Sequence, residues 1–185
     1  MSSAPATGTI PGYTAGTWKA DPAHSEIAFT VRQLMVSKVC GLFTGSDVTI
    51  VTSEDPLASS VTATIDTASL GTGNERRDGH LRSTDYFDVG KYPTMGYRST
   101  GIRRSGDGWV IDGELTCRGV TRKVSLAVGS NGFGPAESGA RRARFSATTR
   151  ISRRDFGLRI PMDGIGGVVG DEVSITLAVE AVLQK

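Results

Sequence analysis

A chain of 185 residues with 38% hydrophobic and 22% charged residues is long enough for a sizeable core and fits one domain. Its net charge of +2 carries no electrostatic footprint of nucleic-acid binding. With aromatic residues at only 6%, the core is expected to rest on Val, Ile, Leu and Ala rather than on stacked rings.

The opening MSSAPATGTIPGYTAG reads as a flexible tail of low hydrophobicity, assigned to residues 1–15 ahead of a domain over residues 16–185. Residues 1–18 hold no Lys or Arg and no apolar run longer than two, so the basic start and apolar segment of a secretory signal are missing. Nothing approaches the ~18 consecutive apolar residues of a membrane span. The resulting expectation is a cytoplasmic protein whose Cys40 and Cys117 sit reduced in separate strands.

Period-two alternation then recurs along the chain. Gly16–Asp21 starts it, followed by Ile27, Phe29 and Val31, by Gly41–Val51, and by Val61, Ala63 and Ile65. Between Asn74 and Pro93 the pattern stops at NERRDGHLRSTDYFDVGKYP. Asn74 can cap a short helix by accepting from its first free N–H groups. From Glu75 to Ser83 the large apolar residue is Leu81, so the helix is expected on the surface with one residue pointing inward. Tyr86 and Phe87 supply apolar contact behind it, and Tyr92-Pro93 restarts an extended chain. Alternation resumes with Met95, Tyr97 and Ser99, then Trp109, Ile111, Gly113 and Leu115, then Val124, Leu126 and Val128. Phe145, Ala147, Thr149 and Ile151 follow, and Val173, Ile175, Leu177, Val179 and Ala181 close the series. Turn signals at Asp55-Pro56, Ser105–Gly108, Arg118-Gly119 and Asn131-Gly132 separate eight or nine strands. Short links between two-faced strands predict an antiparallel meander. Closure into a barrel and division into two sheets fit this alternation equally well.

Catalytic signatures are sparse. Asp21, His24 and Ser25 are close in sequence, but adjacent strand residues point to opposite faces, so a structural role at a strand start is the expectation. No G-x-S-x-G elbow, HExxH or P-loop occurs. His24, Cys40, His80 and Cys117 lack metal-ligand spacing, so neither a metal nor a cofactor is expected. The run GIGGVVG, Gly164 to Gly170, misses G-x-G-x-x-G and reads as a loop. Residues 141–159 carry seven arginines against one acid, Asp155, without interleaved stacking aromatics, so this is read as an outer strand face. On the helix, Asp78 and Arg82 have the i,i+4 spacing of a surface pair. Its charges form either a solvated face or, with Arg77, His80 and Arg82, a polar mouth.

Four blocks resemble the YceI-like family of polyisoprenoid-binding proteins: Trp18 to Leu34, Arg77 to Thr100, Gly113 to Leu126, and Ile151 to Leu158 followed by Gly170 to Ala181. The resemblance implies an all-β fold, an extended eight-stranded antiparallel lipocalin-like barrel with a short inserted helix and a long apolar tunnel. It implies a protein that binds an isoprenoid lipid, of polyprenyl or quinone type, for transport, storage or sequestration and without catalysis. A fatty acid or fatty amide is the rival ligand, and an enzyme acting on the bound lipid is the rival class. The expected lining is Ile27, Phe29, Val31, Leu34, Met35, Phe43, Leu81, Phe87, Met95, Ile175 and Leu177. Leu34, Met35 and Val36 break the alternation, which places them at the tunnel mouth. Arg153 and His80 are candidates to meet a polar head group, Arg153 alternatively locking its turn with Asp155. Transient membrane contact and a homodimer are compatible with such a carrier; nucleic acid is not expected.

Overall fold

The computed structural model describes residues 12–33, 37–106, 108–135, 139–158 and 169–185, which contain eleven strand segments and one α-helix. The strands are β1 (Gly16–Ala20), β2 (Glu26–Gln33), β3 (Ser37–Phe43), β4 (Ser46–Thr52), β5 (Ser60–Asp66), β6 (Leu70–Gly71), β7 (Thr94–Ser105), β8 (Gly108–Cys117), β9 (Val120–Pro135), β10 (Arg141–Ser152) and β11 (Val169–Leu183). Helix α1 (Glu75–Arg82) lies between β6 and β7.

All pairings are antiparallel, and they close. β4 pairs with β1 and β5, and β5, β7, β8, β9, β10 and β11 then follow in order. β11 returns to the start: Ala181 lies opposite Ala20 of β1, and Leu177 opposite Ile27 of β2. β1 and β2 are thus two halves of one stave, and β3 and β4 two halves of the next. The result is an eight-staved closed barrel, which settles the choice between barrel and sandwich. Helix α1 and the short β6, which pairs with β3, fill the connection between β5 and β7.

The stave breaks have local causes. After β1, Asp21 accepts from the Ala23 N–H at 3.0 Å and caps a 3₁₀ turn over Pro22–His24, where the Pro22 ring removes a ladder donor. The same carboxylate meets His24 Nδ1 at 2.8 Å and Arg142 Nη1 at 3.0 Å. Those two hydrogen bonds, led by His24, bring its pKa down to about 2. Ser25 is occupied by strand β11: its hydroxyl donates to the Glu180 carbonyl and accepts from the Glu180 N–H. Asp21, His24 and Ser25 therefore hold a corner together. The segment read as one strand over Gly41–Val51 is divided at Thr44 and Gly45, which bond across to Ser69 and Asp66 instead.

Two bulges depart from the alternation. Asn131-Gly132 is a bulge inside β9 rather than a turn: Arg144 faces Gly132, and the next residue, Phe145, faces Ser130. The phase therefore shifts, and Phe133 turns inward. A second bulge, between Ser99 and Gly101 of β7, brings Ile102 to the inner face. By contrast, Arg118-Gly119 is the expected tight hairpin, with φ of 52° and 74°.

Contacts with the barrel extend ahead of β1 to Tyr13. Tyr13 donates to the Ser53 carbonyl at 2.6 Å, and its ring stands 5.3 Å from Phe133. Phe133 in turn meets Trp18 and Phe145 edge-on at 5.5 Å each. Trp18 is fully buried and donates to Thr52 Oγ1 at 2.9 Å. Few aromatics are present, yet most are gathered inside, so rings contribute more to this core than their frequency suggests.

Three of the seven arginines in the 141–159 segment pair with acids of neighbouring elements. Arg142 bridges Asp21 and Glu180, Arg150 meets Glu172, and Arg154 meets Asp171.

Gly41 faces Phe29 across the β2–β3 pair, and a Cβ there would lie 2.3 Å from Phe29 Cζ. The ring lies flat over the strand because no side chain opposes it. Gly41→Ala is expected to cost about 1–3 kcal/mol in urea denaturation, and less than half of that in a Phe29→Leu background.

Candidate binding cavity

The inward faces of the eight staves converge without filling the interior. They leave a cavity of about 430 Å³, within the range of roughly 300–1,000 Å³ typical of small-molecule sites. It extends from Tyr13 and Phe133 at the Trp18 end to Tyr86 and Leu158 beneath α1. The two buried clusters at these ends share Val61 and Ala63 at their borders. The wall is almost entirely aliphatic and aromatic.

The structure places Ile27, Phe29, Val31, Phe43, Leu81, Phe87, Met95, Ile175 and Leu177 on this wall, together with Arg153 and His80. Leu34 and Met35, and with them the expected mouth, lie outside the described residues. So does most of the Gly164–Gly170 run. The wall also includes Tyr97, Ile111, Leu115 and Val124 of the same inward phases, and Tyr86 from the turn after α1, none of them among the expected site residues. Tyr13 and Phe133 carried no usable signal, one lying in the apparent tail and the other beyond a bulge.

Tyr97 shows how a polar group is accommodated on this wall. Its hydroxyl donates to the Val124 carbonyl at 2.9 Å, passing over Gly113, where a Cβ would stand 2.4 Å from the phenol oxygen. Burial brings the Tyr97 pKa up to about 12, and that of the Cys117 thiol likewise to about 12. The thiol is thereby kept protonated and unreactive at neutral pH.

Helix α1 caps one end, and polar groups hold it there. The Asn74 side chain accepts from the Arg77 N–H at 3.0 Å, as expected of a cap. The pairing expected between Asp78 and Arg82 is replaced by anchors to the preceding loop. Asp78, only 7% exposed, accepts from the Thr72 N–H at 3.0 Å and from its hydroxyl at 2.5 Å. Arg82 donates to the carbonyls of Ala68 at 3.0 Å and Leu70 at 2.6 Å. The buried residue of the helix is therefore a carboxylate, while Leu81 is half-buried against the cavity. Burial alone would raise the Asp78 pKa. The Thr72 hydrogen bonds and the charges of Arg82 and Arg77 outweigh it and hold the carboxyl below its usual range.

Behind the helix, Arg118 at the β8–β9 hairpin tip donates to Gly157 at 2.9 Å and Thr84 at 3.1 Å, tying two loops together. Arg153 is 5% exposed and donates to the Leu158 carbonyl at 3.0 Å, which locks its turn. It also hydrogen-bonds the Tyr86 phenol, although burial dominates there and takes the Tyr86 pKa up to about 12. On α1, His80 Nε2 lies 3.6 Å from Asp85, and Arg77 donates to Thr72.

Fold and cavity together define a closed eight-stranded antiparallel barrel, capped by a polar helix, with a ligand-sized apolar interior. Residues 18–181 match the YceI-like domain, and the chain belongs to the YceI-like family. Protein YceI of Escherichia coli (strain UMN026) is 36% identical over 163 residues, covering 88% of this chain and 83% of that protein. Burkholderia cenocepacia BcnA superposes with a TM-score of 0.78 at 23% identity, covering 87% of this chain and 98% of BcnA. A polyisoprenoid binding domain from Saccharophagus degradans, implicated in plant cell wall breakdown, gives 0.68 at 14% identity, covering 92% and 100%. The last two likenesses speak to the fold alone.

The folded Asp78 carboxyl is held below its unfolded value, so its contribution is complete at neutral pH and is lost as pH falls below the ordinary carboxylate range. Asp78→Asn is expected to cost about 1–3 kcal/mol at neutral pH by leaving Thr72 poorly matched. It should also flatten the acid limb of stability, measured by urea denaturation from neutral pH down to about pH 3.

Proposed function

We propose that this protein holds a long apolar isoprenoid lipid, a polyprenyl or quinone-type chain, inside the barrel for transport, storage or sequestration. The observation that carries this reading is the cavity itself, about 430 Å³ of nearly uninterrupted apolar wall reaching from Tyr13 to Tyr86. An unfilled interior forgoes dispersion contacts on every lining atom, and an apolar chain restores them. Membership of the YceI-like family supports the same reading, and the barrel shares its fold with a polyisoprenoid binding domain. No covalent step is part of this role, in keeping with the inert Cys117 thiol and the structural use of Ser25.

Affinity then scales with chain length. At about 0.3 kcal/mol per heavy atom, each further five-carbon prenyl unit that the cavity buries adds about 1.5 kcal/mol, roughly tenfold in affinity. Such a lipid should survive purification, because release exposes the whole chain to water. Organic extraction of the purified protein followed by mass spectrometry is expected to yield a prenyl lipid in near-stoichiometric amount. Protein that extracts clean would defeat the carrier reading. A second check fills the cavity. Ala147 lines its wall, and Ala147→Trp is expected to leave the far-ultraviolet circular dichroism of a β-barrel while cutting the extracted lipid at least about tenfold.

A further inference from the structure

The two ends of the cavity are finished differently. At the α1 end the insert supplies Leu81, Tyr86 and Phe87, and polar contacts seat it from outside. At the Trp18 end, rings converge on Phe133. Phe133 lines the cavity and meets Tyr13 at 5.3 Å, Trp18 at 5.5 Å and Phe145 at 5.5 Å, each edge-on. Trp18 stands behind that ring, fully buried and off the cavity wall. Phe133 faces inward because the bulge opposite Arg144 and Phe145 shifts the phase of β9.

This cluster is fastened from outside. Trp18 donates to Thr52 Oγ1, and Thr52 donates in turn to the Thr14 carbonyl at 2.7 Å. Arg141 donates to the Gly12 carbonyl at 3.1 Å and to the Thr14 hydroxyl. Residues 12–14 are thereby tied to β10, while the Tyr13 hydroxyl ties them to Ser53, just after β4. The fit is close: a Cβ at Gly12 would lie 2.8 Å from the Phe133 carbonyl oxygen. Phe133 cannot swing aside in such packing without breaking its three ring contacts. The Thr52 and Tyr13 hydroxyls are committed to the fold, so this end offers a ligand hydrocarbon surface.

We infer that Phe133, braced by Tyr13, Trp18 and Phe145, is the stop that limits how long a chain the barrel takes up. This rests on the cavity holding an apolar chain, and it adds the residue that sets the chain's length. Each prenyl unit that finds room gains contact with the wall. A unit for which the ring leaves no room gains none. The size of the ring suits this selection: Phe133→Ala removes about six carbons, close to the roughly five of one prenyl unit, and opens space toward Trp18. Discrimination between homologues that share a head group is a difference in buried hydrocarbon, so it needs no polar contact.

The test equilibrates the protein with a mixture of all-trans prenols from farnesol to solanesol and reads the retained homologues by native mass spectrometry. Retention should climb with length to a cutoff and fall beyond it. Phe133→Ala is expected to move the cutoff up by one prenyl unit, raising the ratio of the next homologue to the wild-type optimum at least about tenfold. Phe133→Leu should move that ratio the same way by at least about threefold, and it carries the test should Phe133→Ala fail to fold. Leu126→Ala, on the wall beside Ile111, widens the cavity without lengthening it and should leave the cutoff in place. A further readout needs no variant. The chain has four tyrosines, and in ring-labelled protein the Tyr13 NMR signal should move when the cutoff homologue binds. A cutoff that stays put in both Phe133 variants, an equal shift from Leu126→Ala, or an unmoved Tyr13 signal overturns the stop while leaving the apolar-chain reading intact. Retention of no prenol of any length overturns both.

Discussion

Strand β11 pairs along one edge with β10 and along the other with β2 and then β1, and the rest of the molecule depends on that double use. Its register with β2 sets Ile27 opposite Leu177 and Phe29 opposite Ile175, all four on the inner wall. Its register with β1 sets Ala181 opposite Ala20, where small side chains let Trp18 sink completely. A slip of one residue along β11 would send both sets outward. Closure therefore does two things at once. It removes the sheet edges, and it commits every inward side chain to a common interior that eight staves cannot fill.

The broken first stave is the accommodation that permits this closure. The chain must leave one course at Asp21 and resume at Glu26, and the turn between is stabilised by charge and hydrogen bonds rather than by burial. Asp21 caps the turn and ties it to Arg142 on β10. Ser25 ties it to Glu180 on β11. A trio that could be mistaken for catalytic chemistry holds a corner of the barrel.

Attachment of the cap follows a similar logic. Helix α1 has almost no apolar surface, so hydrophobic burial cannot seat it. Asp78, Arg77 and Arg82 fasten it to the backbone of residues 68–72, and Arg118 fastens the loops behind it. Leu81 and Phe87 are then available to the cavity wall, and the cap contributes basic groups to an otherwise apolar interior. Polar anchoring outside and apolar lining inside are consequences of one short, highly charged segment.

Much of this was legible in the residues. Period-two alternation identifies the strands and the inward phase of Ile27, Phe29, Met95, Ile175 and Leu177, because side chains in a strand alternate faces regardless of what they meet. Asn74 and the polar run after it identify the helix and its cap, because capping and amphipathicity are local. What only the tertiary structure decided involves partners far apart in sequence. Barrel and sandwich share one alternation, and the pairing of β11 with β1 chose between them. Bulges at Thr100 and Asn131 depend on the opposing strand, so the inward turns of Ile102 and Phe133 were invisible to a pattern counted along one segment. Asp78 looked like a surface partner for Arg82 because helix spacing is all a sequence displays. Its burial against Thr72 exists only once the loop from β6 folds back beneath the helix.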